Sequence, residues 1–356
     1  MTVLVQELSA GALTQYTELV NGVSTSLLYH TLQYRDFLRS VLTGSKDRYL
    51  VAYENGRLVA ALPAFIKYGI YGAVVNSLPF FGSNGAIVAA AGTGAAVKTA
   101  LLEAYDEMCR AEKAVTSTII SNPLSADPDV FKEYPATFQD LRIGQFTELP
   151  AVPAGESLED RLMSSFHPKT RNLVRKGLKS EYEIEHSDSD QALRRLQGLH
   201  EVNMRALNGP VKTWEICQAL RRTFQYDLDY RVYTARKNGE IRAALLVLFH
   251  NRIVEYYIPA VQEEYRSEQP LSSLIFTAMG DAVNRGFRWW NWGGTRPALD
   301  GVYHFKSRWG TQDLNYRLYI KQHADVSHLK SIPPAEISRQ YPYFYVIPFN
   351  APAAVS

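Results

Sequence analysis

Between His167 and Ser180 the chain carries Lys169, Arg171, Arg175, Lys176 and Lys179 with no acidic residue among them. On a helix Arg171, Arg175 and Lys179 fall at i, i+4 and i+8, so they would line one face and could meet successive phosphates of a polyanion. The same spacing also suits a solvated helix face. A second group is Glu255, Tyr256 and Tyr257, on a strand-like run in which alternation puts Glu255 and Tyr257 on one face and Tyr256 on the other. Trp289, Trp290 and Trp292 follow in WWNW and could either stack on an adenine or a sugar or fill a core. Cys109 and Cys217 lie far apart and offer neither a disulfide framework nor metal-ligand spacing, so no metal is expected. No Gly-x-Ser-x-Gly elbow, Walker loop or dinucleotide fingerprint occurs, which ranks hydrolases, kinases and dehydrogenases low.

The frame that must hold these groups is globular. With 356 residues, 46% hydrophobic and 21% charged, the chain exceeds one ordinary core, and two domains are expected. Thirty-eight basic against 36 acidic residues leave a net charge of +2. No whole-molecule field then drives nucleic-acid binding; DNA is not an expected partner, and any polyanion must meet a local patch. No segment reaches the roughly 20 apolar residues of a membrane span, and no leader pattern opens the chain, so the expected location is the cytoplasm.

An internal repeat organises the sequence. In YLVAYENGRLVAALPAF, Tyr49 to Phe65, two β-favouring runs flank Asn55-Gly56, a pair that tolerates the positive φ of tight hairpin turns. In VYTARKNGEIRAALLVL, Val232 to Leu248, the turn is Asn238-Gly239, and a constant offset of 183 pairs Leu58 with Ile241, Ala60 with Ala243, Ala61 with Ala244 and Leu62 with Leu245. Helical spacing follows each hairpin, through Val97 to Cys109 and Leu271 to Ala282, and then a strand, Val115 to Ser121 and Phe287 to Trp292. Duplicated α/β domains are therefore expected, with a mixed sheet in each. The first domain is expected over 1–150 and the second over 151–322, divided in the Pro- and Gly-containing LPAVPAGES, Leu149 to Ser157. Two helices, Leu158 to Leu178 and Ser189 to Leu207, and a short third, Trp214 to Phe224, precede the second hairpin. The Pro- and aromatic-rich tail 323–356 could return to the first domain as an edge element, since its prolines exclude a central strand.

This order resembles the GNAT acetyltransferase fold, and a tandem pair of such domains resembles the Fem peptidyl transferases and their acetyltransferase-like relatives. The segments that carry the resemblance are SLPFFGSNGAIV (Ser77 to Val88), IGQFTELP (Ile143 to Pro150), FHPKTRNLVRKGLKSEYEIE (Phe166 to Glu185) and WWNWGGTRPALDGVYHFKSRWG (Trp289 to Gly310). The resemblance implies an enzyme that moves an aminoacyl or acyl group onto an amine. Its activated donor is a co-substrate, aminoacyl-tRNA or acyl-CoA, with no tightly bound cofactor. The implied acceptor is a nucleotide-sugar cell-envelope precursor or another amine.

Carried onto this chain, the family's Phe-Lys pair is Phe305 and Lys306. A lysine cation beside the reacting carbonyl would stabilise the oxyanion more than the neutral ground state. Arg205 matches a family arginine near the acceptor, where a guanidinium fork suits a pyrophosphate, though it could equally cap a helix. The proton of the attacking amine could go to Glu255, Tyr256 or Tyr257, or to Asp300 or His304 near the Phe-Lys pair. Trp292 and its neighbours would contact substrate, and the basic run from Lys169 to Lys179 would hold donor phosphates. Two departures stand out. Tyr34 takes the place of a family tryptophan, and EEYRSEQPLSSL, Glu263 to Leu274, lacks the Gly-rich turn on which GNAT enzymes hold the coenzyme A pyrophosphate. Aminoacyl-tRNA is therefore the favoured donor. A coenzyme A-dependent N-acyltransferase acting on an amino sugar and a non-catalytic RNA-binding or scaffold module are the alternatives.

Overall fold

In a computed structural model, which describes residues 3–81, 83–125, 128–295 and 300–346, the chain forms two compact units. The first comprises 1–142 and 315–356 and the second 143–314. The first boundary therefore falls inside a strand and not in the Pro-rich 149–157 segment, and the second falls at 314/315.

The first unit begins with β1 (Val3–Glu7), α1 (Leu13–Gly22) and α2 (Leu32–Val41). The hairpin β2 (Ser45–Glu54) and β3 (Arg57–Gly69) follows, then β4 (Gly72–Asn76), the short β5 (Val88–Ala89), α3 (Ala95–Ala111), β6 (Ala114–Ile120) and α4 (Pro128–Lys132). Next, β7 (Phe138–Glu148) carries the chain into the second unit. There α5 (Leu158–Ser165), α6 (Pro168–Lys179), β8 (Glu183–His186), α7 (Asp190–Ala206) and α8 (Trp214–Thr223) precede the hairpin β9 (Tyr230–Lys237) and β10 (Glu240–His250). After these come β11 (Ile253–Val261), α9 (Pro270–Asn284), β12 (Trp289–Thr295) and α10 (Asp300–Ser307). Finally β13 (Thr311–Gln322) returns to the first unit, which also holds α11 (Pro334–Gln340).

The two units share one topology. In the first, strands run in the order β1-β2-β3-β4-β6-β13; in the second, β7-β12-β11-β10-β9-β8. In each, a hairpin is followed by an antiparallel third strand, a helix, and a strand parallel to the third: β4 with β6, β11 with β12. Both hairpin turns have two residues at positive φ, Asn55 and Gly56 in one and Asn238 and Gly239 in the other, as a tight turn matched to strand twist requires. The hairpins also share a bulge. Register skips between Leu58 and Ala60 in β3 and between Ile241 and Ala243 in β10, the same place at the offset of 183. The closing strands are exchanged along the chain: β7, which follows β6, ends in the second unit paired with β12, and β13, which follows β12, ends in the first paired with β6.

Each unit has its own core. In the second, Leu274, Ile275, Ala278, Met279 and Ala282 of α9 are buried against the β9-β10-β11 face, and each large side chain contributes about 1.5–3 kcal/mol. Gly286, at positive φ, closes that helix. Pro168 splits the first predicted helix of the second unit in two, because it lacks the N–H an unbroken helix needs and fits the first position of α6 instead. The tail, expected as an edge element, enters the first unit as α11 and an extended segment outside the sheet.

Candidate active site

In the second unit β11 and β12 pair only over Ile253–Glu255 and Trp289–Asn291. Beyond that point β11 stays with β10 through a bulge, Leu246 opposite Ile258 and Val247 opposite Tyr256, while β12 follows β7 up to Thr295 opposite Ile143. Two parallel strands that part in this way leave their carboxyl ends open to a ligand. The bulge skips Tyr257 in the register, so simple alternation fails after Tyr256. Tyr256 packs on Trp292 at 4.9 Å, and Lys212 Nζ lies 5.0 Å from the Tyr257 ring centroid.

Lys306 comes from α10 and is 8% exposed. Its Nζ donates to Thr295 Oγ1 at 2.9 Å and reaches the Gly293 and Gly294 carbonyls at 3.5 Å. No carboxylate lies within 4 Å of it among the described residues. Burial therefore acts unopposed and pulls the ammonium down to about 8. Thr295 Oγ1 donates onward to Gln145 Oε1 at 3.1 Å, which ties the lysine to β7.

Glu255 is joined to the same group. It is 3% exposed and accepts from Asn291 Nδ2 at 2.7 Å; Asn291 Oδ1 accepts from the Gly293 N–H at 2.8 Å, and the Gly293 carbonyl faces Lys306 Nζ. Gly293 adopts a positive φ, so the turn that brings its N–H and carbonyl to these two neighbours is open to glycine and strained for other residues. A carboxylate and a partly desolvated lysine thus share one hydrogen-bonded path at the mouth of the parted strands. The arrangement can hold a carbonyl oxygen at the lysine and take a proton at the carboxylate.

The other predicted residues fall into three groups. Phe305 is 37% exposed, edge-on to Trp292 at 6.1 Å, and borders Lys306 on the aromatic side. Trp292 is fixed by its own Nε1 donating to Thr147 Oγ1 at 2.9 Å, and Trp290 is wholly buried, so these two belong to the core. Trp289 is half-buried, with the Arg288 guanidinium over its ring. Burial also raises the Tyr256 phenol, which keeps it protonated. Outside the hydrogen-bonded path, Arg205 projects into solvent from the end of α7 and pairs with Glu201, and His304 is exposed beside Tyr303. The Asp300 side chain lies outside the described residues. Asn291, Thr295, Gln145 and Lys212 were not singled out from sequence. Three of them lie in quoted motifs, WWNWGGT and IGQFTELP, and that adjacency was the available signal; for Lys212 there was none. Burial holds Lys212 down to about 8 as well.

The basic run forms α6, with Thr170, Val174 and Gly177 buried and Lys169, Arg175, Lys176 and Lys179 exposed. These four cations have no acidic partner within 4 Å among the described residues. Arg171 departs from the predicted row: its Nη1 donates to the Phe166 carbonyl at 3.1 Å and secures the start of its own helix. At the other end α6 meets the first turn of α9 so closely that a Cβ on Gly177 would lie 2.5 Å from the Gln269 carbonyl. The segment before α9 is a 3-10 helix, Glu263–Glu268, and the Glu268 carboxylate takes hydrogen bonds from Tyr182 and Lys237. The α9 N-terminus, where a pyrophosphate would bind in a GNAT enzyme, is covered by protein and bordered by a carboxylate. In the first unit Tyr34 is buried with its hydroxyl 2.5 Å from Ser83 Oγ.

A family model described as an acetyltransferase (GNAT) domain matches residues 164–307, which include Glu255, Asn291 and Lys306. No curated protein matches this sequence. Among solved structures, FemX is similar with a TM-score of 0.70 at 15% identity, over 88% of this chain and 96% of that one. A tandem GNAT protein from the clavulanic acid biosynthesis pathway gives 0.54 at 13%, over 92% and 100%. L-PGS from Bacillus licheniformis gives 0.54 at 12%, over 90% and 94%. At such identities these structures establish the fold, while the matched domain carries the chemistry. The second unit thus carries a GNAT acetyltransferase-type domain, which marks the protein as an acyltransferase, and the chain as a whole has the tandem GNAT fold seen in FemX.

Proposed function

We propose that the second unit transfers an acyl or aminoacyl group to an amine at the opening between β11 and β12. The observation that carries this reading is a buried lysine, with no carboxylate partner among the described residues, that shares a hydrogen-bonded path with a buried glutamate where two parallel strands part. The acceptor nitrogen attacks the donor carbonyl carbon, Lys306 stabilises the oxyanion beside Phe305, and Glu255 takes the amine proton. The C–N bond forms as the ester or thioester bond breaks, and the leaving oxygen or sulfur departs with a proton. Tyr257, under Lys212, borders the same opening on β11.

The favoured donor is aminoacyl-tRNA. The covered α9 N-terminus removes the usual seat of a coenzyme A pyrophosphate. Lys169, Arg175, Lys176 and Lys179 form an exposed face, with no acidic partner within 4 Å among the described residues, that suits a phosphate-rich ligand. The acceptor is an amine of a cell-envelope precursor or a small metabolite. The second reading, a coenzyme A-dependent N-acyltransferase acting on an amino sugar, draws on the acetyltransferase domain match. A binding and transfer screen with charged tRNA, acyl-CoA thioesters and nucleotide-sugar amines separates the two. Turnover of acyl-CoA without tRNA binding at low salt overturns the tRNA reading, and donor binding without transfer to any acceptor overturns catalysis.

A further inference from the structure

The first unit has a place equivalent to the opening of the second. Phe65 pairs with Asn76 as Leu248 pairs with Glu255, and Asn76 sits beside Thr118 as Glu255 sits beside Asn291. On the closing strands Ile320 lies opposite Thr118 and Phe146 opposite Asn291, so Tyr319 of β13 is the counterpart of Gln145 of β7. After β6 the chain forms α4, as α10 follows β12, and each helix carries a Phe-Lys pair: Phe131-Lys132 in α4, Phe305-Lys306 in α10.

The chemistry proposed for the second unit is missing here. Asn76 stands in the place of Glu255 and is spent on the Tyr345 N–H and carbonyl, and Lys132 is exposed where Lys306 is buried. What remains is a cavity. About 310 Å³ in volume, it lies beyond the C-terminal end of β6, between Ile87, Asn122, Phe131, Asn315, Arg317 and Tyr319.

The walls contain satisfied and unsatisfied groups. Phe131 and Tyr319 are both buried and stack with ring centroids 4.8 Å apart and planes 15° from parallel, which gives the cavity an aromatic flank. Asn122 is satisfied: Oδ1 accepts the Leu124 N–H at 2.9 Å and Nδ2 donates to the Thr25 carbonyl at 2.7 Å. Tyr319 differs. Although it is only 7% exposed, its hydroxyl has no hydrogen-bond partner among the described residues, so its partner must come from whatever fills the cavity. Alternation along β13 puts Arg317 on the face that carries Tyr319. Burial raises the Tyr319 phenol and the Arg317 guanidinium opposes that rise, so the two side chains lie close. Arg317 is held by its backbone, which exchanges hydrogen bonds with Ser121, while its guanidinium makes no ion pair among the described residues. The exposed Asn315 stands at the rim of the same face.

A guanidinium fork, a phenol hydroxyl and an amide suit the two oxygens of a carboxylate, and the aromatic flank suits a flat or apolar body. One cation balances one negative charge, which favours a carboxylate over a phosphate dianion. The volume lies at the lower end of small-molecule sites. We infer that the first unit contains a non-catalytic binding site for a small organic carboxylate, with Arg317, Tyr319 and Asn315 as its polar contacts and the Phe131–Tyr319 stack as its wall.

Calorimetric titration of the full-length protein with benzoate, benzamide and phenyl phosphate tests this. Benzoate is expected to bind at millimolar concentration and benzamide at least about tenfold more weakly. Arg317→Met should weaken benzoate by about tenfold or more, and Tyr319→Phe, which keeps the ring stack and removes only the hydroxyl, by about threefold or more. Lys306→Met should leave benzoate binding unchanged, whether or not the second unit transfers acyl groups. The inference is overturned if benzoate does not bind, if benzamide matches it, or if binding survives Tyr319→Phe and Arg317→Met at full strength. Loss of binding in Lys306→Met overturns it too, since the carboxylate then sits in the second unit. Tighter, Arg317-dependent binding of phenyl phosphate overturns the choice of a carboxylate. Should Arg317→Met unfold the protein, Tyr319→Phe decides alone.

Discussion

The two units use one strand order in different ways. In the second, β11 carries a bulge, parts from β12 after three paired residues, and places a carboxylate on a path to a buried lysine. In the first, β3 and β4 pair without a break from Phe65–Asn76 to Gly69–Gly72, the equivalent residue is an amide, and the chain's own tail is bound to it. Up to the equivalent residues Asn76 and Glu255 the two ladders match; there β4 ends, whereas β11 runs on through the bulge at Tyr257 to Val261. Two copies of one scaffold thus differ in a handful of side chains, and the path that joins Glu255 to Lys306 lies in the second.

The sharpest test of this contrast is Lys306→Met, which should lower transfer by about 100-fold or more, the range for loss of one oxyanion donor, while the thermal melt changes little. A buried cation replaced by a side chain of similar volume costs the fold little or nothing. Unchanged turnover would remove Lys306 from the mechanism. Glu255→Gln gives the second unit the type of group the first has at this place and keeps a partner for Asn291. It should reduce turnover by roughly 10²-fold if Glu255 is the base, with a loss that shrinks as the amine substrate becomes less basic.

The pH profile sharpens the division of labour. Burial holds Lys306 down to about 8, so it is charged below that value and neutral above it. If it acts as a cation, kcat falls as pH rises through about 8; a kcat that instead rises through the same window would make Lys306 the base. On the outer face of α6, charge reversal at Arg175 and Lys179 should weaken tRNA binding and flatten the slope of log affinity against log salt by about 0.7–0.9 per lost contact. A coenzyme A thioester would show a shallow slope indifferent to both changes. The smallest effects separate the closed helix terminus from free helix surface. Gly177→Ala drives a Cβ into the Gln269 carbonyl and should destabilise the second unit by about 1–3 kcal/mol. Gly198→Ala in α7, with nothing within 4 Å of the new carbon, should stabilise it by about 0.5–1 kcal/mol; denaturant melts read both.

Much of this was open to reading in the sequence because it is local. The two Asn-Gly turns, the offset of 183 and the helical spacing of α3 and α9 depend on backbone preferences and on which face is apolar, both carried by neighbouring residues. The Phe-Lys motif likewise pointed to Lys306. Other properties are contacts between distant segments. That β7 and β13 cross between units, that Lys306 is buried and donates to Thr295, that Arg205 turns outward, and that Arg171 binds its own helix start all depend on how the folded chain surrounds them. The bulge at Tyr257 is set by pairing with β10, and the tail's seat on Asn76 joins residues 269 positions apart. Sequence alone determined which segments become strands and helices and that they are repeated, because period and turn chemistry act within a few residues. Only the tertiary structure decided that Glu255 joins Lys306 in the second copy while Asn76 holds Tyr345 in the first, because register and burial belong to pairs of segments that meet after the chain has folded.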